Sequence, residues 1–216
     1  MEEKKPKGLT LFFTRFGKVF IGFSVLVLII VSGVVVYNEV QNSRKAAATE
    51  LVESMEAAYQ DYLSDANSTK SASTLEELAA KAIADFPQEY PAQRGQFLLA
   101  MRAEAQEDFI TASELFESSA LIGASSHLIE VAYIRSYQTA ESAGELPRAV
   151  AMLQALLNAA PLGIQAPRAI FNLGRLYELI GNTESALDTF RRLTLEFPGS
   201  SWTSLSEARI LQLENS

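Results

Sequence analysis

Residues 167–200 read PRAIFNLGRLYELIGNTESALDTFRRLTLEFPGS. Apolar residues recur at helical spacing on both sides of Gly181, and Pro198 closes the segment, so two helices joined by a tight turn are predicted. Its residues return upstream. Ala186 is preceded by Ala149 and Ala112 at a step of 37, and Phe190 by Leu153 and Phe116 at the same step. Pro161 precedes Pro198 and Gly144 precedes Gly181 by the same interval. A fixed period of roughly 20–50 residues marks stacked helical repeats. Such arrays usually present surfaces, so a chain that holds partners is expected.

The periodicity predicts helix pairs at 91–106 with 109–122, 126–143 with 146–160, and 166–180 with 183–197. Pro147 suits the first turn of its helix, where a missing N–H costs nothing. A lone helix at 202–213 covers the last pair, which would otherwise expose an apolar face. Upstream, residues 38–63 carry a helical apolar stripe including Leu51, Met55, Tyr59 and Tyr62. The polar run 64–74 reads as a loop. Thr74 with Glu77 three residues later reads as a capping box opening a short helix that Pro87 ends. No strand pattern competes, and the fold class is all-α.

Residues 167–200 resemble a tetratricopeptide repeat: Leu173-Gly174, Tyr177, Gly181, Ala186, Phe190 and Pro198 occupy its signature spacing. Gly174 and Ala186 are small where two helices approach; Tyr177 and Phe190 are large where the pair is filled. Residues 130–163 keep Gly144, Ala149, Leu153 and Pro161, with Ser136 and Ala140 replacing large residues of the first helix. Residues 93–126 keep Leu99-Ala100, Ala112 and Phe116. The step of 37 exceeds the repeat's usual 34, which places about three extra residues in each inter-repeat turn, as at 162–166.

Residues 19–37, VFIGFSVLVLIIVSGVVVY, carry no charge. As a helix they span about 28 Å, close to the hydrocarbon thickness of a bilayer. The run is longer than the apolar core of a cleaved signal peptide, and the nearest small-residue cluster, Ala46-Ala47-Ala48, lies well beyond it. An uncleaved signal anchor is preferred over a cleaved leader or a buried core helix. Lys4, Lys5, Lys7, Arg15 and Lys18 precede the segment, whereas only Arg44 and Lys45 follow nearby. The positive-inside rule puts residues 1–18 in the cytoplasm and everything after residue 37 across the membrane.

The expected domain plan is a basic N-terminus (1–18), an anchor (19–37), a juxtamembrane helix, loop and short helix (38–90), and repeats plus cap (91–216). This layout resembles that of the membrane-anchored ancillary subunit of the bacterial Sec translocon. The resemblance implies a bacterial inner-membrane protein with an extracytoplasmic domain, associated with the translocation channel, periplasmic chaperones and exported client chains. Anchored repeat adaptors of envelope assembly and division share the plan and remain the alternative.

The composition narrows the chemistry. Net charge is −8, and beyond residue 37 there are 13 basic against 24 acidic side chains. Such a domain repels phosphate backbones, so nucleic acid is not expected as a partner. With no cysteine there is no disulfide, thiol nucleophile or lipid-modified N-terminus. His127 is the sole histidine, which leaves no histidine pair for a metal and no Ser-His-Asp set. No Gly-rich phosphate loop is present. No catalytic residue, metal, cofactor or small-molecule substrate is expected.

The remaining candidate is a protein-binding groove. In the repeat that the chain resembles, the inner helix faces a groove at positions two, five, nine and twelve of each unit. That implies Arg94, Phe97, Met101 and Glu104; Val131, Ile134, Gln138 and Glu141; and Arg168, Phe171, Arg175 and Glu178. Phe97, Met101, Ile134 and Phe171 would form an apolar strip for a helix or extended segment, unless neighbouring helices cover them as ordinary core. The Lys/Asn/Arg clamp that some relatives use for a C-terminal carboxylate is not reproduced, so a free chain end is not expected as ligand.

Overall fold

The structure is a computed structural model that describes residues 7–65 and 69–215. Residues 1–6 of the expected N-terminal basic tail, including Lys4 and Lys5, lie outside the described residues, as do residues 66–68 of the expected polar loop. The described residues form nine helices and no strand: α1 (Lys7–Ser64), α2 (Thr69–Asp85), α3 (Tyr90–Ala105), α4 (Phe109–Ile122), α5 (Ser126–Ser142), α6 (Leu146–Ala159), α7 (Ala166–Ile180), α8 (Thr183–Glu196) and α9 (Ser201–Glu214). The chain divides into two compact units, Met1–Ala47 and Ala48–Ser216.

In the first unit, every side chain from Ile21 to Val40 is exposed. A helix this long and apolar, with a mean hydropathy of 2.3 and none of its most apolar window buried, can cross a membrane by length and composition.

The second unit is a solenoid of helix pairs with the all-α, capped architecture expected. Two apolar clusters fill it. One joins the end of α1, α2 and α3 through Leu51, Met55, Tyr62, Leu75, Ala79 and Leu98. The other runs from Phe97 on α3 to Leu193 on α8, with Trp202 of α9 packed against it. Helix α3 serves both, because Leu98 and Phe97 point into different clusters; burial on two sides explains why it lacks a clear polar stripe.

Small residues set the helix spacing. A Cβ on Gly174 would lie 2.6 Å from Cε1 of the fully buried Phe190, and one on Gly95 would lie 3.3 Å from both Ala79 and the Met55 sulfur. Ala112, Ala149 and Ala186, at the 37-residue step, are all 0% exposed, as are Phe116, Leu153 and Phe190 one helical turn later. Gly144 and Gly181 have positive φ (79° and 83°) and reverse the chain within a pair. Pro161 and Pro198 lie in exposed turns between pairs.

Two local expectations are corrected. Thr74 does not open a helix. Helix α2 begins at Thr69, and the Thr74 hydroxyl donates to the Lys70 carbonyl one turn back at 2.9 Å. Its polar residues face water while Leu75, Ala79 and Ala82 supply the buried face, so helical periodicity overrides a loop-like composition. The extra residues of the 37-residue step are also unevenly placed. Residues 160–165 form a long connection between α6 and α7, but α4 and α5 are joined by only 123–125, and α5 is longer instead.

The tight contact yields a stability prediction. Gly174→Ala forces the buried Phe190 ring to move, and the expected loss is about 1–3 kcal/mol by denaturant unfolding. An alanine at exposed Gly199, where a Cβ meets nothing within 4 Å, is expected to change stability by less than about 0.5 kcal/mol. Equal effects at the two positions would refute the close-packing account.

Candidate functional site

The helical period places Ile134, Gln138 and Glu141 along one stripe of α5, and Arg168, Phe171, Asn172 and Arg175 along one stripe of α7. These stripes meet near Trp202 at the start of α9. Between them lies a groove of about 490 Å³, lined by Tyr137, Gln138, Glu141, Ser142, Arg168, Asn172, Arg175 and Trp202.

Only part of the expected apolar strip lines an accessible surface. Phe97 and Ile134 are 6% and 5% exposed and belong to the core; the Phe97 ring stands edge-on to Phe116 at 5.0 Å. Met101 and Phe171 are half-buried against the core, and the Phe171 ring packs at a tilt between Phe190 (5.6 Å) and Trp202 (5.1 Å). Each inner helix is covered by its neighbours on the side where the strip was expected, which leaves polar side chains at the surface.

Most of the charged groove positions are committed to fastening the solenoid. Glu104, Glu141 and Glu178 keep the 37-residue step, and each accepts from an arginine one inner helix further on: Arg135 at 2.5 Å, Arg175 through two bonds of 2.6 Å each, and Arg209. Arg94 donates to Glu56 of α1 at 2.8 Å, extending the ladder toward the start of the unit. Arg94 and Arg135 also lie over the Phe97 and Phe116 rings at 5.5 and 5.6 Å. The hydrogen bonds from Arg175 to Glu141 hold its guanidinium more firmly protonated than usual, against the opposing effect of burial.

Arg168 is different. Every other arginine from α3 to α9 pairs with a carboxylate, whereas Arg168 has none among the described residues. It is half-buried and lines the groove beside Tyr137. Burial pushes that phenol above its ordinary value, with the nearby Arg168 opposing the shift. Gln138, also half-buried, sits on the same wall. Asn172 is spent on structure: its amide donates to the Arg168 carbonyl at 2.8 Å and its oxygen accepts from Arg175.

Tyr137, Asn172 and Trp202 were not among the expected groove residues. Asn172 and Tyr137 sit one place away from expected positions, so a helix face wider than the assumed positions would have found them. Trp202 enters from the cap, outside any repeat. Tyr177 faces elsewhere and accepts from Gln154 at 2.9 Å. His127 is exposed at the start of α5. Among the described residues, no group of three or more His, Cys, Asp or Glu could hold a metal ion. A second groove of about 590 Å³ lies between the end of α1 and α2, lined mainly by Ser, Ala and Asp side chains.

Comparison with known proteins agrees with the fold. The family described as tetratricopeptide repeat-like domain matches residues 11–166, and the tetratricopeptide repeat family matches 168–200. A solved structure of putative kinesin light chain nearly identical TPR-like repeats from Podosopora anserina is 16% identical, with a TM-score of 0.55 over 78% of this chain and 87% of that one. A variant of the same Podosopora anserina repeats is 15% identical, with a TM-score of 0.55, over 78% and 86%. No curated protein matches significantly.

The ladder is testable by a double-mutant cycle on Glu141→Gln and Arg175→Met. The pair is bidentate, and both side chains are more than two-thirds covered, so a coupling of about 1 kcal/mol is expected. Additive single effects would mean that the pair contributes nothing to the stacking of α5 on α7.

Proposed function

The chain belongs to the tetratricopeptide repeat-like domain family, and we propose that it is a membrane-anchored protein–protein interaction scaffold. Repeats of this kind generally mediate protein contacts through the surface that their stacking creates. The observation that carries the reading is the open groove on α5, α7 and α9, lined by polar and aromatic side chains, in a chain that also has an apolar helix able to span a bilayer. Anchoring raises the local concentration of any complex in the same membrane, so a groove of modest affinity suffices.

In this reading residues 19–37 are an uncleaved anchor in a bacterial inner membrane, and the repeats lie on the extracytoplasmic side. The excess of Lys and Arg before the anchor supports that orientation. The partners are the Sec translocon together with periplasmic chaperones or exported chains. The supporting argument is the layout of basic tail, anchor, emerging helix and divergent repeats.

Two measurements test this. A reporter fused after Ser216 that is active only outside the cytoplasm is expected to be active; a signal from a cytoplasmic reporter at the same place would reverse the topology. Purification in mild detergent is expected to recover channel subunits with the full chain. Recovery of division or outer-membrane assembly factors without channel subunits would transfer the scaffold to envelope assembly.

A further inference from the structure

Resting on the scaffold reading, we propose that the groove on α5, α7 and α9 recognises a single side-chain carboxylate of a partner segment, received by Arg168 and Gln138, with the neighbouring residue of that segment packed on Trp202. The starting point is an imbalance of charge. Eight arginines from α3 to α9 are matched by carboxylates of this chain, and Arg168 is not, among the described residues. It also lies in the first turn of α7, where a cation faces the positive end of the helix dipole and helical stability alone disfavours it. A bound carboxylate would relieve that cost.

The nearby carboxylates are engaged elsewhere. Glu141 faces the same groove but holds Arg175 through both oxygens. Glu130 accepts the Gln165 N–H at 2.9 Å in the turn before α7. The groove therefore carries one net positive charge in a domain that is otherwise acidic. A guanidinium has five N–H donors, and no carboxylate among the described residues occupies those of Arg168, so a bidentate face is available to a ligand. The Gln138 amide can donate alongside it. Trp202, packed at a tilt against Phe171 at 5.1 Å, forms the aromatic side of the groove.

This arrangement selects against highly acidic segments. The surrounding surface repels them, and only one cation is unmatched, so a lone Asp or Glu flanked by uncharged apolar residues fits best. One unmatched cation also suits a side chain better than a chain end that adjoins a second carboxylate.

The test uses the full chain in detergent and the fluorescence of Trp202, the one tryptophan of the sequence. The probes are acetyl-Ala-Leu-Glu-Leu-Ala-amide and its Gln counterpart. A saturable change with the Glu peptide is expected, with affinity about ten-fold weaker for the Gln peptide. Arg168→Met is expected to remove the preference for Glu, Arg168→Lys to restore part of it, and Gln138→Ala to weaken binding a few-fold. An unchanged unfolding midpoint for Arg168→Met would show that the fold persists; if it shifts, Arg168→Lys and Gln138→Ala carry the test. Equal affinity for the two peptides, no saturable change up to millimolar concentration, or an undiminished preference in Arg168→Met would overturn the proposal. Channel subunits that still co-purify with the wild-type chain in any of those cases would leave the scaffold reading standing, whereas their absence beside clear peptide discrimination would sink the partner and keep the site.

Discussion

No helix pair of this solenoid can bury its own apolar surface. Each has side chains to cover on two sides, so each becomes stable only when a neighbour stacks on both. The apolar cluster from Phe97 to Leu193 is therefore continuous through α3–α8, and the structure depends on how closely consecutive helices can approach. Gly174 under Phe190 sets that distance in the last pair, and Gly95 against Ala79 and Met55 sets it near the first. Where the hydrophobic surface ends, α9 closes the array with Trp202 packed on Phe171.

Stacking is directionless in the hydrophobic sense, and polar contacts fix its register. Gln93, at the start of the first repeat, accepts the Ser125 N–H at 2.8 Å; Glu130, one step of 37 later, accepts the Gln165 N–H in the same way. Both side chains hold the turn that precedes the next inner helix. Ser113 and Ser136 exchange hydroxyl-to-carbonyl bonds of 3.0 and 2.8 Å across α4 and α5. That explains why a small polar residue replaces a large one at position 136: the buried hydroxyl is satisfied, so its desolvation cost is offset. The arginine–glutamate ladder completes the fastening along the inner helices.

Because fastening uses most of the charged groove residues, the candidate site is what remains. Glu104, Glu141 and Glu178 read as groove residues because their spacing is regular. The same regularity is what lets each reach the next inner helix. Arg168 breaks the pattern, and the break is visible only when every other arginine has been matched to its carboxylate. The groove thus combines one unmatched cation with aromatic surface from two different helices.

Much of the fold is legible in the residues alone. The positions at the 37-residue step place the helix pairs, because small and aromatic residues at a fixed interval can satisfy only one mode of packing. The helix from 69 escapes such a reading because its first turns are Ser, Thr and Lys, whose composition mimics a loop while their spacing does not. Whether Phe97 and Ile134 line a groove or belong to the core stays open in the sequence, because a repeat position specifies a direction from the helix axis, not whether a neighbour covers it. The period, the apolar N-terminal segment, the acidic balance and the absence of cysteine need nothing beyond the order of residues. Which carboxylate meets which arginine emerges only on folding, since those partners lie some thirty residues apart and their distances depend on helix crossing, which no local pattern encodes.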